Sequence, residues 1–202
     1  MSYGGYYMNL TSLIPEPPVV PPATNVAKFT DQTGRGMPTR RSSLVLIDPA
    51  PYPEVTGSND PETVKMIKED YAGSVSELSA ITQYIFQNTT TKDETFANAM
   101  LQIAIVEMTH LDMLGDAIET LGGTPSFDNG KIFWNASNVD YTQDPAGMLR
   151  ANIKAESGAI ASYEKHASLT KNASMSALFL RIAQDEKLHL KFFLEELAKL
   201  PK

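Results

Sequence analysis

Glu107 and His110 stand three residues apart in the stretch VEMTHLDML (residues 106–114), among leucines and methionines that would otherwise form a core. Glu186 and His189 repeat the spacing in DEKLHLKFF (residues 185–193). On a helix, residues i and i+3 lie about 60° apart around the axis and one turn apart in height. A carboxylate and an imidazole so placed can grip one cation from adjacent turns. One such pair arises readily by chance. Two of them in apolar surroundings ask for a partner, because an unpaired buried charge is strongly disfavoured.

The partner is an internal repeat. A shift of 79 residues sets positions 72–121 against 151–200, and fourteen of the fifty then match without a gap. Ordinary composition would give roughly three matches. The matches include Glu77/Glu156, Ala80/Ala159, Ile81/Ile160, Tyr84/Tyr163, Ile103/Ile182, Glu107/Glu186 and His110/His189. The chain therefore reads as two copies of one helical hairpin. Glu77 and Glu156, one from each copy, complete a set of four carboxylates and two imidazoles. Such a set suits two Fe or two Mn ions per chain, whose charge the carboxylates neutralise and bridge.

The elements that must carry these residues follow from start and stop signals. Asp60-Pro61-Glu62 offers an N-cap, a proline at the first helical position and an acid in the first turn. One long helix is expected from there to about Asn88. After the polar connection Thr89–Asp93, a second helix runs from about Glu94 to Leu121 and stops at Gly122-Gly123. Residues 122–144 carry turn chemistry around Asp128-Asn129-Gly130 and suggest a small hairpin. Asp144-Pro145 opens a third helix to about Leu169, and a fourth spans about Ser174 to Leu200. Short connection, long crossover and short connection make an all-α four-helix bundle of two duplicated hairpins over residues 60–202. Residues 1–59 hold nine of the 13 prolines and read as an extended arm, with Ser43–Ile47 its only strand-like piece.

Composition removes several classes of function. The chain of 202 residues has no cysteine, which excludes disulfides, thiolate-held clusters and a cysteine nucleophile. Its net charge is −7, with no basic cluster beyond Arg40-Arg41, so no nucleic-acid partner is expected. No run approaches about 18 apolar residues, so no membrane span is expected. The N-terminus MSYGGYYMNL does not read as a signal peptide, and a cytoplasmic location is the expectation.

Residues 60–200 resemble the ferritin-like superfamily of dimetal-carboxylate bundles, particularly rubrerythrin, bacterioferritin and manganese catalase. The ordered set Glu77, Glu107-x-x-His110, Glu156, Glu186-x-x-His189 is similar to that family's ligand signature at all six positions. The resemblance implies a dimetal oxidoreductase acting on peroxide or dioxygen, by peroxidase, catalase or ferroxidase chemistry. It also implies bridging roles for Glu107 and Glu186 and terminal roles for Glu77 and Glu156. A non-enzymatic protein that holds iron or uses metal for structure or assembly is the competing implication. Rubrerythrin usually carries a cysteine-ligated module and a second acid three residues after its third-helix glutamate. Here there is no cysteine, and Ala159 occupies that place. Peroxide reduction would thus need a separate electron donor, whereas disproportionation would need none. Ferritins and bacterioferritins extend beyond the fourth helix and form cages. This sequence stops at Lys202, so a homodimer or small homo-oligomer is expected.

Tyr84 and Tyr163 each follow a ligand glutamate by seven residues, about two turns along the same face. They are candidate hydrogen-bond donors to ligand carboxylates or one-electron donors, at a spacing similar to that of bacterioferritin, with a core tyrosine of satisfied hydroxyl as the other reading. Asp185 is placed to fix the outer nitrogen of His110, while its repeat partner is Val106, so the two metal positions would differ. Met108 is similar in position to the haem-ligating methionine of bacterioferritin, with packing as its other role. His166 is expected at the surface.

Overall fold

The computed structural model describes residues 45–201. Five helices account for most of them: α1 (Pro61–Ala72), α2 (Glu77–Thr90), α3 (Glu94–Thr120), α4 (Pro145–Leu169) and α5 (Ala173–Lys199). The side chains of Asp60, Ser76, Asp93, Asp144 and Asn172 each accept from a first-turn amide, so every helix starts at a capping residue. α2 packs on α3 and α4 on α5, giving the two hairpins of the repeat. No strand and no membrane-length apolar helix occur among the described residues.

Two expected elements differ. The long first helix is broken at residues 73–76. Gly73 caps α1 through its amide to the Glu69 carbonyl, and a Cβ there would lie 2.4 Å from that oxygen. The hydroxyls of Ser76 and Ser79 both donate to the Gly73 carbonyl, at 2.8 and 3.0 Å. Glycine and serine here favour caps over helix interior, and the chain restarts at Glu77. The expected hairpin in the crossover reduces to one antiparallel bridge, Asp128 to Phe133, around Gly130 at φ +82°. Phe127 before that turn and Ile132 and Phe133 after it are exposed, so nothing supports a longer ladder. The strand-like Ser43–Ile47 forms no strand over 45–47, and its first two residues lie outside the described ones.

Residues 45–59 lie against the helices. Leu46 is buried, Tyr52 and Val55 pack on the core, and Thr56 bonds Ser174 and Asn172 near the start of α5. The remainder of the expected arm, residues 1–44, lies outside the described residues. Two apolar clusters fill the bundle, one around Ile67, Ile118 and Phe179, the other around Met100, Ile103 and Phe193. Tyr163 belongs to the first and Tyr84 to the second, and the six candidate ligands lie between these two tyrosines.

Candidate metal centre

Each of the six candidate ligands is buried to 3% exposure or less. They converge in two overlapping quartets, Glu77/Glu107/His110/Glu186 and Glu107/Glu156/Glu186/His189, whose nearest oxygen and nitrogen atoms lie within 4.8 Å of one another. Glu107 and Glu186 belong to both quartets; Glu77 and Glu156 belong to one each. His110 Nδ1 faces Glu107 Oε2 at 3.0 Å, Glu186 Oε1 at 3.2 Å and Glu77 Oε2 at 3.6 Å. His189 Nδ1 faces Glu107 Oε1 at 3.0 Å, Glu186 Oε2 at 3.1 Å and Glu156 Oε2 at 3.9 Å. One N–H can serve only one of three oxygens, and Oε1 of both Glu107 and Glu186 is left buried without a hydrogen bond. Carboxylate oxygens crowded on a ring nitrogen need a positive charge between them, and the donor set of four carboxylates and two imidazoles fits a pair of Fe or Mn ions.

The titration behaviour has the same origin. Burial first, then the charges of Glu107 and Glu186, raise Glu77 and Glu156 well above the ordinary carboxylate range. Burial works against charge on Glu107 and Glu186 too, yet the two imidazoles outweigh it and hold both low. His110 and His189 rise well above their usual value: burial opposes this, and the surrounding carboxylates, led by Glu77 and Glu107 respectively, override it. Protons thus occupy the places that cations would take.

Tyr84 donates to Glu156 Oε1 and Tyr163 to Glu77 Oε1, each reaching across from one hairpin to the glutamate of the other. Burial and then the carboxylate each one meets push both phenols well above their ordinary range. The outer nitrogens differ. His110 Nε2 lies 3.1 Å from Asp185 Oδ2, while His189 Nε2 lies 3.0 Å from the carbonyl of Leu46. Carbonyls only accept, so His189 carries its proton on Nε2 and presents a free Nδ1 to the centre once the ring is neutral. Asp185 is itself held by Tyr52 at 2.5 Å, the Asp48 amide at 2.6 Å and Arg181 at 2.8 Å. The His110 contact first, then those bonds, outweigh burial and keep its carboxyl near 2, while Tyr52, buried and bonded to Asp185, is pushed up to about 12.

A cavity of about 60 Å³ reaches the centre, room for a few waters or a peroxide. Glu77, Glu107, Glu156, Glu186 and the two tyrosines line its floor, and the exposed Ser74 and Val75 of the α1–α2 break line its outer part. The interruption of the first helix thus opens the access path.

Two expectations are corrected. His166 is only 2% exposed, paired to Asp70 at 2.6 Å, because its position in the repeat is that of Gln87, which is also buried. Met108 is 43% exposed, so packing within this chain is not its role. Sequence reasoning missed Tyr52, Asp48 and the Leu46 carbonyl. They come from an arm with no periodicity, where no pattern marks a residue as facing inward.

The ferritin-like domain family matches residues 74–202 of the chain. A curated relative from Clostridium acetobutylicum, described as "Probable manganese catalase", is 26% identical over 127 residues, covering 52% of this chain and 56% of its own length. The chain thus spans little more than half of that relative. KatB, a manganese catalase from Anabaena PCC7120, aligns with a TM-score of 0.69 and 27% identity over 76% of this chain and 80% of its own. The bacterioferritin of Desulfovibrio desulfuricans, with a diiron site, reaches a TM-score of 0.60 at 24% identity over 68% and 79%. That second likeness is one of fold.

Proposed function

Because the chain belongs to the ferritin-like domain family, we propose that it uses a pair of manganese ions to disproportionate hydrogen peroxide to water and dioxygen. The observation that carries this reading is the pair of buried quartets sharing Glu107 and Glu186 at the floor of a small cavity. Likeness to manganese catalases at 26 and 27% identity supports manganese over iron. The absence of cysteine suits a reaction that needs no outside electron donor.

Glu77, Glu107, His110 and Glu186 would hold one ion, and Glu107, Glu156, Glu186 and His189 the other. Bound ions supply Lewis acidity and a store for two electrons. Tyr84 and Tyr163 hold Glu156 and Glu77 in place through their hydroxyls. Asp185 orients His110 and leaves His189 to a neutral carbonyl, so the two positions differ in basicity. The cavity admits a molecule of peroxide size and leaves little space for bulkier reductants.

Elemental analysis of protein from its own source, paired with an oxygen-evolution assay, tests the reading. Close to two manganese ions per chain and dioxygen release without added reductant are expected. Iron in place of manganese, with no dioxygen released, would point instead to iron oxidation and holding. A second expectation concerns Asp185. Asp185→Asn should weaken one of the two ions by about 10–100-fold in a metal titration, leaving the other nearly unchanged. Equal weakening of both would contradict separate roles for the two imidazoles.

A further inference from the structure

Asp70 and His166 take no part in ligation, yet they connect the same cavity to the surface. Asp70, near the end of α1, lines the cavity and is 2% exposed. Its Oδ1 accepts from the Ser162 hydroxyl at 2.6 Å, and its Oδ2 lies 2.6 Å from His166 Nδ1. The other ring nitrogen, Nε2, lies 3.6 Å from Glu69 Oε2, on a side chain that is 47% exposed. On the α5 side the ring meets Phe179, with centroids 5.8 Å apart. A pair needed only for packing would have no reason to touch both the cavity and a solvent-facing acid.

We propose that Glu69, His166 and Asp70 form a proton relay between solvent and the cavity in which peroxide reacts. This rests on the peroxide reading above. Oxidation of one peroxide releases dioxygen, two protons and two electrons. Reduction of the second takes up two protons and the same two electrons, which bound ions would hold in between, and yields two waters. In the reductive half, an N–H bond forms at His166 Nε2 with a proton arriving past Glu69. The Nδ1–H bond breaks as its proton passes to Asp70, which hands one to the cavity. In the oxidative half the same bonds form and break in reverse, and a proton leaves past Glu69. One outward and one inward transfer per cycle return the ring to its starting tautomer without rotation. The second proton released in the oxidative half stays on cavity water and is the second proton taken up in the reductive half.

The charges around the ring suit this role. Burial disfavours the imidazolium, but Asp70 and Glu69 from α1 outweigh it, with Lys165 on the ring's own helix opposing them, and His166 rises above its ordinary value. Burial raises Asp70 despite the His166 bond, which eases the transient protonation of its carboxylate that a relay needs.

The experiment compares wild-type, His166→Gln and Glu69→Gln full-length proteins loaded with Mn2+. His166→Gln should keep its metal, lose about 10²-fold or more in kcat, and show a larger solvent deuterium isotope effect with an altered pH profile. A merely structural pair would not move the isotope effect. Proton release on adding Mn2+ to metal-free protein, followed with a pH indicator, needs no turnover and should be slower in both variants at unchanged final stoichiometry. Wild-type rates, isotope effect and proton-release kinetics in His166→Gln would overturn the relay. Should that variant fail to hold metal, unchanged proton release and isotope effect in Glu69→Gln would overturn it. A wild-type protein that releases no dioxygen refutes the peroxide reading instead, and the indicator measurement still judges the relay.

Discussion

Glu107→Ala and Glu186→Ala should each take the protein from close to two bound ions per chain to a small fraction of one, whereas Glu77→Ala and Glu156→Ala should each leave about one. The difference follows from membership: Glu107 and Glu186 contribute to both quartets, and Glu77 and Glu156 to one apiece. Removing a shared carboxylate strips charge from both positions at once and leaves His110 and His189 facing fewer oxygens. Removing Glu77 leaves the quartet of His189 intact, and its partner Tyr163 then has a hydroxyl without an acceptor. Elemental analysis after dialysis against a weak chelator reads the result. Equal loss in all four variants, or full occupancy in the shared pair, would refute the assignment of bridging and terminal roles.

The helices and the six converging side chains were legible because they obey periodic rules. ExxH spacing, repeated 79 residues apart with Glu77 and Glu156 in register, marks one face of four helices, and Asp60 and Asp144, each before a proline, mark the starts of α1 and α4. Asp185 was legible for the same reason: it shares a helix with a ligand and sits one residue from it. The break at 73–76 was not, since Gly73 and Ser76 act through a local cap geometry that a helical pattern averages over. His166 illustrates a different limit. Its place off the ligand face, ten residues after Glu156, suggested solvent, and only its match to Gln87, together with Asp70 on another helix, explains its burial. Tyr52 and the Leu46 carbonyl act over more than fifty residues of sequence separation from a segment without periodicity, so nothing local pointed to them.

Metal removal should lower stability, with a deficit that grows from about pH 5 to about pH 8. In the metal-free protein Glu77, Glu156, His110 and His189 all titrate above their unfolded values. A group raised in the folded state contributes stability that is complete below its unfolded pKa and disappears as pH climbs through its folded pKa. For the two carboxyls that loss begins above about pH 4.3, and for the two imidazoles above about pH 6.5. Glu107 and Glu186 are lowered, so their contribution is present throughout this window and fades only in stronger acid. Four groups therefore push metal-free stability downward between pH 5 and 8, and none opposes them in that range. Metal acts in the opposite sense. It takes the places of the protons on the ligands, so its binding strengthens as proton competition falls, and it favours the folded state by mass action. At free metal about 100-fold above Kd, each ion adds about 2.7 kcal/mol. Two ions would raise Tm by roughly 10–20 °C in a chain of this size. Melting curves of metal-free and Mn2+-loaded protein at the two pH values provide the measurement. A gap that is absent, or wider at pH 5, would mean that these six side chains do not share one buried cation-binding centre.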